Sequence, residues 1–585
     1  MLNLSQQQAV KTTEGPLRII AGAGTGKTQT LISRIAFLVK EKGMHPQKIL
    51  ALTFTNKAAH EINVRLLEKN LSTVNAMTFH SLAARLIRKF WNPDFSIITR
   101  KKQEEILKEI LTDDEVPDMK NIISSLDAIR YNDPAHGGEL ESENFSMPEI
   151  RLREILKKYQ AQLNTNNEID FTGLLATLIQ MWKEKPDTLL KCQNLFQYIL
   201  VDEYQDVNAA QIKIMMDLAE SHQNICVVGD PDQTIYSWRG AKAETMTKFE
   251  RLYPDAVSIS LIKNYRNPPA ILNGAEKLIA HNIGRLKTKL QPTITKDRII
   301  SYWESESEWR QTEIIFHLLE KYFGSHGEMH MADQLDINRD EDFRQFSDIA
   351  LLYRTKSQGR FLFEQLTKRG YPCQMSSPDS FWEKKEIVDF LDGVENLNKW
   401  TDISLVKDKF SKWISDKIDK FIKSQNFSKS HINNLDRLIP YAMVFDYLPI
   451  QEALSRLLDE ARTEQEVDNL IQTDKINLLT LHAAKGLEFP VVMIIGLEEG
   501  NLPHKKLKDD QYWLGEERRL LYVGMTRATD ELHIFTNKKR EDRIQEPSRF
   551  LKEIGYENMV PGKMPEVKIQ RINRKEIKKA QLKLF

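Results

Sequence analysis

The stretch that decides the fold is LRIIAGAGTGKT, residues 17–28. Its apolar beginning predicts a strand, its glycines predict a tight turn, and the residues that follow predict a helix. Glycines let the backbone N–H groups of such a turn face a phosphate, and the helix N-terminus adds positive potential. Lys27 is expected to reach the β- and γ-phosphates of ATP, and the Thr28 hydroxyl is expected to hold Mg²⁺. The predicted loop consists of Ala21, Gly22, Ala23, Gly24, Thr25, Gly26, Lys27 and Thr28.

The bulk composition excludes several classes of protein. At 585 residues, 41% of them hydrophobic and 28% charged, the chain has the composition of a multidomain globular protein. No apolar run approaches the ~20 residues of a membrane span, so no membrane partner is expected. The three cysteines lack metal-binding spacing, which predicts a protein of the reducing cytosol. Lys plus Arg equals Asp plus Glu, 83 each, so net charge is silent about nucleic acid.

Two sets of apolar runs define the predicted fold class. Val/Ile/Leu-rich runs separated by amphipathic segments indicate parallel sheets covered by helices on both faces. The first set is LRIIAGAG (17–24), KILALTF (48–54), YILVDE (198–203), ICVVGD (225–230) and VSISL (257–261). The second set is RIISYW (298–303), DIALLYR (348–354), INLLTL (476–481), VVMIIGL (491–497) and ELHIF (531–535). A stretch of helical periodicity interrupts each set, so we predict two α/β domains with one helical insertion each.

The domain boundaries follow from these interruptions. The predicted ranges are 1–90 and 197–264 for the first α/β domain, 91–196 for its insertion, 265–394 and 476–555 for the second α/β domain, 395–475 for its insertion, and 556–585 for a flexible basic tail. The polar, acidic segment 324–345 is expected to be a surface loop.

A second motif supplies the acidic half of the nucleotide site. ILVDEYQDVN, residues 199–208, is a hydrophobic strand that ends in two adjacent carboxylates. This arrangement predicts that Asp202 holds Mg²⁺ and that Glu203 orients and deprotonates the attacking water.

Further stretches carry a family resemblance. They are LNLSQQQAV (2–10), LTFTNKAAHEI (52–62), TFHSLA (78–83), DEYQDVN (202–208), VGDPDQTIYSWRGA (228–241), NYRNP (264–268), TLHAAKGLEFPVV (480–492) and EERRLLYVGMTRA (516–528). Together they resemble the UvrD/Rep/PcrA family of superfamily 1 DNA helicases, in family order, from residue 1 to about 555. The resemblance implies that both α/β domains are RecA-like P-loop domains and that the chain is a DNA helicase and DNA-dependent ATPase.

The resemblance also implies residue roles around the nucleotide. It places Arg266 and Arg527 as arginine fingers, Gln233 as the γ-phosphate sensor, Tyr265 and Arg34 on the two faces of adenine, Gln6 at the adenine edge and Glu488 at the ribose. Hydrolysis then requires both domains to close on one nucleotide, so domain closure becomes the ATP-dependent event.

The predicted track is single-stranded DNA, including its junctions with duplex, followed in the 3′-to-5′ direction. Single strands are held by stacking on aromatic rings and by backbone contacts. The family pattern assigns stacking to Phe54, Phe79, Tyr236 and Trp238, and polar or phosphate contacts to Thr78, Arg239, Thr480 and His482. Repair or replication in the bacterial cytosol or nucleoid is the expected setting.

The chain ends in QLKLF, residues 581–585. This pentapeptide resembles the one by which bacterial proteins bind the DNA polymerase sliding clamp. The resemblance predicts that Gln581 hydrogen-bonds at a pocket rim while Leu582, Leu584 and Phe585 fill apolar pockets. The alternative is a frayed basic terminus that helps hold DNA.

Other functions stay open at this point. The second helical insertion is shorter than relatives usually carry, which favours a translocase that strips proteins from single strands with little unwinding. A motor or nucleotide-gated subunit of a larger repair or phage-defence complex is a further alternative, and RNA as the track is a more distant one.

Overall fold

The glycine-rich stretch joins a strand to a helix as predicted. The computed structural model describes residues 2–131, 145–237, 240–242, 244–286, 288–295, 299–323, 344–375, 381–400, 408–425, 427–462, 474–504, 511–540 and 543–563. The elements up to residue 90 are α1 (Leu4–Lys11), β1 (Leu17–Ala21), α2 (Lys27–Lys40), β2 (Ile49–Thr53), α3 (Asn56–Leu67), β3 (Asn75–Thr78) and α4 (Phe79–Phe90).

The chain then passes through a helical region and returns to the same sheet. The elements are β4 (Ser96–Ile97), α5 (Arg100–Ile110), α6 (Met119–Tyr131), α7 (Glu149–Thr165), β5 (Glu168–Ile169), α8 (Phe171–Glu184), α9 (Pro186–Leu195), β6 (Tyr198–Val201), α10 (Ala209–Ala219), β7 (Ile225–Gly229), α11 (Thr245–Leu252) and β8 (Val257–Leu261).

The first sheet is parallel, with strand order β3-β2-β6-β7-β1-β8. Successive side chains point to opposite faces of a strand. Leu17 and Ile19 of β1 therefore pack with α2 and α3 on one face, whereas Ile20 packs with α4 and α8 on the other. The expected coverage of both faces is present. The edge strand β3 was missing from the predicted set.

The second α/β domain follows, with its own insertion. Its first elements are β9 (Lys263–Asn264), α12 (Pro269–Ile279), β10 (Gln291–Pro292), β11 (Ile300–Ser305), α13 (Glu308–Phe323), β12 (Ile349–Tyr353), α14 (Lys356–Lys368) and β13 (Cys373–Met375). The insertion has α15 (Lys385–Trp400), α16 (Phe410–Ser424), α17 (Lys429–Asp436), α18 (Leu438–Met443) and α19 (Ile450–Arg462). The domain ends with β14 (Ile476–Thr480), β15 (Phe489–Ile494), α20 (Gln511–Met525), β16 (Ala528–Asn537), β17 (Lys539–Arg540), β18 (Arg543–Ile544), α21 (Arg549–Ile554) and β19 (Met559–Pro561).

The second sheet is also parallel, in the order β13-β14-β12-β15-β16-β11-β19. The five predicted strands occupy its middle, and the unpredicted β13 and β19 form its edges. Because β19 spans Met559–Pro561, the domain continues beyond residue 555, and the tail expected from residue 556 has its first residues in the sheet. Segment 324–343 and the C-terminal residues 564–585 lie outside the described residues.

Each helical insertion has its own core, and both cores differ from the predicted ranges. The first core runs from Ile98 to Leu163, whereas α8 and α9 pack on the first sheet. The second core already includes Phe381 and Trp382, so this insertion begins before residue 395. Within the described residues, no helix combines the length and the apolarity that crossing a membrane requires.

The second insertion also docks on the first α/β domain. The Arg88 guanidinium on α4 forms an ion pair with Asp459 on α19, and Asp459 is 5% exposed. One turn of chain beyond, Asn56 Nδ2 donates to the carbonyl of Glu460 at 3.0 Å. Helices α3 and α4 therefore hold an element that belongs, by chain connection, to the other domain.

Candidate active site between the two α/β domains

The phosphate loop is fixed by backbone geometry that requires glycine. Gly24 and Gly26 have φ angles of +65° and +80°, in the left-handed region. A Cβ on Gly24 would lie 2.5 Å from the Cβ of Arg266, and a Cβ on Gly26 would lie 2.8 Å from Gln6 Nε2. The Thr25 hydroxyl donates to the carbonyl of Gly22 at 2.8 Å and braces the turn. The loop is thus held between α1 and the segment that opens the second domain.

Lys27 and Glu203 face each other across this loop. The Lys27 ammonium lies 3.1 Å from Glu203 Oε1, and Lys485 of the second domain lies 3.7 Å from Glu203 Oε2. Burial alone would raise the pKa of Glu203, but these two cations outweigh it and lower the pKa to about 2. Glu203 is therefore ionised and sits in a left-handed conformation at φ +52° at the end of β6.

Asp202 fits the predicted role of a metal ligand. Its side chain is 5% exposed, and Oδ1 accepts a hydrogen bond from the backbone N–H of Glu203 at 3.0 Å. Burial first, and then the charge of Glu203, raise the pKa of Asp202 to about 7. A buried carboxylate of this kind, beside the first turn of α2 that carries Thr28, is a donor set that suits a hard divalent cation.

Arg527 and Gln233 meet across the domain boundary. Arg527, 2% exposed, donates from its NH2 group to Gln233 Oε1 at 3.1 Å and from Nε to the carbonyl of Val523 at 2.9 Å. Gln233 in turn donates to Asp230 Oδ2 at 2.6 Å. Burial first, and then the neighbouring charge of Arg266, lower the pKa of Arg527 to about 9. The predicted sensor and one predicted finger are therefore in direct contact.

Arg266 lies beside the phosphate loop but is bound elsewhere. Its Nε and NH2 groups both lie 2.8 Å from Glu488 Oε2, and Glu488 is largely exposed. The backbone N–H of Arg266 donates to Asn264 Oδ1 at 3.0 Å, and Asn264 Nδ2 donates to the Ala23 carbonyl at 2.7 Å. The structure brings the predicted ribose contact and the second predicted finger together as an ion pair.

The predicted adenine residues are placed unequally. Tyr265 is 47% exposed beside the loop. Gln6 is buried, and its Nε2 group donates to the Thr25 carbonyl at 3.0 Å while Oε1 accepts from the Asn3 backbone at 2.9 Å. Arg34 is 2% exposed and donates to carbonyls at the end of α1. The structure therefore leaves Tyr265 open to a base, whereas the roles of Gln6 and Arg34 stay predictions.

Lys485 is a site residue that the sequence interpretation missed. Its ammonium forms an ion pair with Asp206 and donates to the Gln233 carbonyl at 2.7 Å. It also lies over the ring of Tyr236, 5.1 Å from the centroid. A lysine between small residues in HAAKG, directly after a strand of the second sheet, was the available signal. The partner carboxylate is 279 residues away, so spacing could not identify it.

The described aromatic candidates for DNA stacking are buried. Phe54 and Tyr236 stack on each other, with centroids 5.2 Å apart and planes at 22°, and both pack into the core of the second domain. Phe79 is 1% exposed in a core of the first domain. Trp238 and Arg239 lie outside the described residues. Base stacking by these rings stays a prediction.

The polar DNA candidates stand at the start of helical turns. Thr78 Oγ1 accepts from the backbone N–H of Ser81 at 3.1 Å, and Thr480 Oγ1 accepts from that of Ala483 at 3.1 Å. The carbonyl of His482 accepts from the Tyr236 hydroxyl at 3.4 Å. These residues line the same boundary between the domains as Lys485, and their DNA contacts stay predictions.

Comparison with known proteins agrees with this geometry. The model of the UvrD/REP helicase N-terminal domain matches residues 2–254, and that of the UvrD-like helicase C-terminal domain matches residues 259–407 and 390–539. Two relatives called ATP-dependent DNA helicase PcrA, from Staphylococcus epidermidis and Staphylococcus aureus, are 31% identical over 645 residues, which cover 94% of this chain and 86% of theirs. The chain belongs to the UvrD/Rep helicase family. It is an ATP-dependent DNA helicase with two RecA-like domains, and the cleft between them is its ATPase site.

Proposed function

We propose that this UvrD-like helicase hydrolyses ATP with Mg²⁺ in the interdomain cleft and uses the resulting domain movement to step 3′-to-5′ along single-stranded DNA. The carrying observation is that two cations of the second domain meet one residue of the first. Arg527 contacts the Gln233 side chain at 3.1 Å, and Lys485 contacts its carbonyl at 2.7 Å. A γ-phosphate sensed by Gln233 would therefore be reported directly to the second domain.

The division of labour follows from charge. In phosphoryl transfer, charge spreads over the transferred oxygens, and fixed cations stabilise it. Lys27 from the first domain, and Arg266 and Arg527 from the second, supply such cations. Thr28 and Asp202 hold Mg²⁺, which neutralises phosphate charge. Glu203 orients the attacking water and accepts its proton.

The nucleotide-free contacts suggest how ATP changes the site. Lys27 is paired with Glu203 at 3.1 Å, and Arg266 is paired with Glu488 at 2.8 Å. A nucleotide phosphate competes with both carboxylates for these cations. Binding of ATP therefore frees Glu203 for water and draws Arg266 toward the loop, which moves the second domain against the first.

Polarity is tested with two short duplexes, one carrying a 3′ single-stranded tail and the other a 5′ tail. We expect ATP-dependent strand displacement from the 3′-tailed duplex alone. Displacement from the 5′-tailed duplex alone would contradict the proposed direction. DNA-stimulated ATPase without displacement from either would favour a stripping translocase, consistent with the short second insertion.

We also propose that residues 581–585 bind the sliding clamp. The basic residues of the tail precede the apolar side chains that would enter the clamp pockets. Deletion of residues 581–585 should abolish binding to a purified clamp and leave the ATPase unchanged, whereas Lys583→Ala, which removes no proposed contact, should leave both unchanged. Retained clamp binding after the deletion, or loss of DNA binding instead, would support the basic-terminus alternative.

A further inference from the structure

Asn3, the residue that precedes α1, uses both ends of its side-chain amide. Oδ1 accepts from the backbone N–H of Gln6 at 3.0 Å and caps the helix, while Nδ2 donates to the hydroxyl of Tyr265 at 2.9 Å. The orientation of the amide is not arbitrary, because a backbone N–H must face the oxygen. The nitrogen is therefore directed at Tyr265, which is 262 residues away.

Tyr265 is consequently held at both ends. Its backbone N–H donates to the carbonyl of Gly24 in the phosphate loop at 2.9 Å, and its hydroxyl is held by Asn3. Between these two anchors the residue is 47% exposed, although it adjoins a site whose other residues are buried. An aromatic side chain has few rotatable bonds, so two anchors fix the plane of the ring.

We propose that Asn3 is a positioning residue for the nucleotide base: it holds the Tyr265 ring as a shelf on which the base stacks. This inference rests on the proposed function only in that the base is expected at Tyr265. Asn3 contacts neither base nor phosphate. It acts by removing conformational freedom from the ring before the nucleotide arrives, and pre-organisation of this kind strengthens binding without a new contact.

The neighbouring finger residue is held by other groups, so the two roles are separable. Arg266 is fixed through its backbone N–H by Asn264 and through its side chain by Glu488. Loss of the Asn3 contact should therefore change how well a base-bearing nucleotide binds and leave the chemical step intact.

Two matched substitutions test this role. Asn3→Ser keeps the helix cap, because serine caps as well as asparagine, but its short side chain cannot also reach Tyr265. Tyr265→Phe keeps the ring and removes the hydroxyl. Each should raise the KM for ATP about fivefold with kcat within about twofold, the size expected for one net hydrogen bond. The double variant should be no worse than either single variant, since both remove the same contact.

A base-free competitor separates positioning from a general structural effect. Inorganic tripolyphosphate engages the phosphate loop without a base, so its inhibition constant should be the same in wild type and in both variants. Equal weakening of ATP and tripolyphosphate would overturn the proposal, because Asn3 would then act through Gln6 and the loop. Additive effects of the two substitutions would overturn it as well.

Tyr265→Ala distinguishes failure of the inference from failure of the base site. It should raise the KM for ATP more than Tyr265→Phe does, again without changing tripolyphosphate inhibition. An unchanged KM in Tyr265→Ala would mean that the base does not bind on this ring, and both the base site and the role of Asn3 would fall. A raised KM in Tyr265→Ala beside an unchanged KM in Asn3→Ser would overturn the role of Asn3 alone.

Discussion

Replacing Lys485 with methionine removes the cation that ties the second domain to the buried carboxylates of the first. The side chain is 7% exposed, its ammonium is paired with Asp206, and it donates to the Gln233 carbonyl at 2.7 Å. Methionine has a similar length and no charge. The change therefore leaves two polar groups without this donor in a buried interface.

The magnitude can be worked from the two lost contacts. Removing one partner of a buried ion pair costs about 3–5 kcal/mol. Here protonation of Asp206 limits the cost, because burial already raises its pKa to about 6 despite Lys485. At pH 7 this limit is about 1.4 kcal/mol, one pKa unit. The unsatisfied carbonyl adds about 1 kcal/mol, so we expect a loss of about 2–3 kcal/mol in the free energy of unfolding.

The sign of the pH dependence follows from the same pKa. Lys485→Met raises the folded-state pKa of Asp206 further above its unfolded value. The resulting loss of stability is absent where Asp206 is protonated in both proteins, and it grows as pH rises above about 6. At pH 8 the Asp206 part is limited to about 2.7 kcal/mol, two pKa units.

Urea unfolding of the nucleotide-free protein at pH 6 and pH 8 measures this effect. The deficit of Lys485→Met against wild type should be larger at pH 8. Adding Asp206→Asn to Lys485→Met is the matched control, because it removes the unpaired carboxylate and should remove most of the pH dependence. A deficit that is equal at both pH values, or no rescue in the double variant, would refute the reasoning.

Three further predictions concern turnover and domain docking. Glu203→Gln should keep ATP and DNA binding but lower kcat by about 10²–10⁴-fold, because the base is lost and the Mg²⁺ ligand Asp202 is kept; near-normal hydrolysis would contradict the carboxylate assignment. Arg266→Ala should lower kcat by about 10³-fold or more with little change in nucleotide-free stability, since its partner Glu488 is exposed; an unchanged kcat would exclude it as a finger. Asp459→Asn should speed amide hydrogen exchange in residues 450–462 by weakening the ion pair with Arg88, and unchanged exchange there would show that this pair does not hold the insertion.

The sequence predicted the parts of the fold that carry strong local signals. The Val/Ile/Leu runs of β1, β2, β6 and β7 are buried on both faces, so their apolar character is continuous. The missed strands are short edge segments: β3 reads NAMT, β13 reads CQM and β19 reads MVP. Such segments depend on pairing with a neighbour and carry little periodicity of their own.

The limits of sequence interpretation at the site have the same origin. Lys27, Thr28, Asp202 and Glu203 follow from local strand and turn patterns. The contact of Lys485 with Asp206 does not, because it exists only once the two domains meet. The stacking of Phe54 on Tyr236 is a second case, since a ring suited to a base packs equally well on another ring. Burial of the predicted DNA-binding rings could not be read from their motifs.

Steady-state ATP hydrolysis with and without a single-stranded oligonucleotide, in wild type and Arg527→Lys, tests the central claim most directly. Arg527 belongs to the second domain and meets Gln233 of the first at 3.1 Å. If the cleft between the domains is the motor, DNA should stimulate hydrolysis by wild type strongly, and Arg527→Lys should lose that turnover while still binding nucleotide and DNA. Full DNA-stimulated turnover in Arg527→Lys, or hydrolysis by wild type that is indifferent to DNA, would contradict the account.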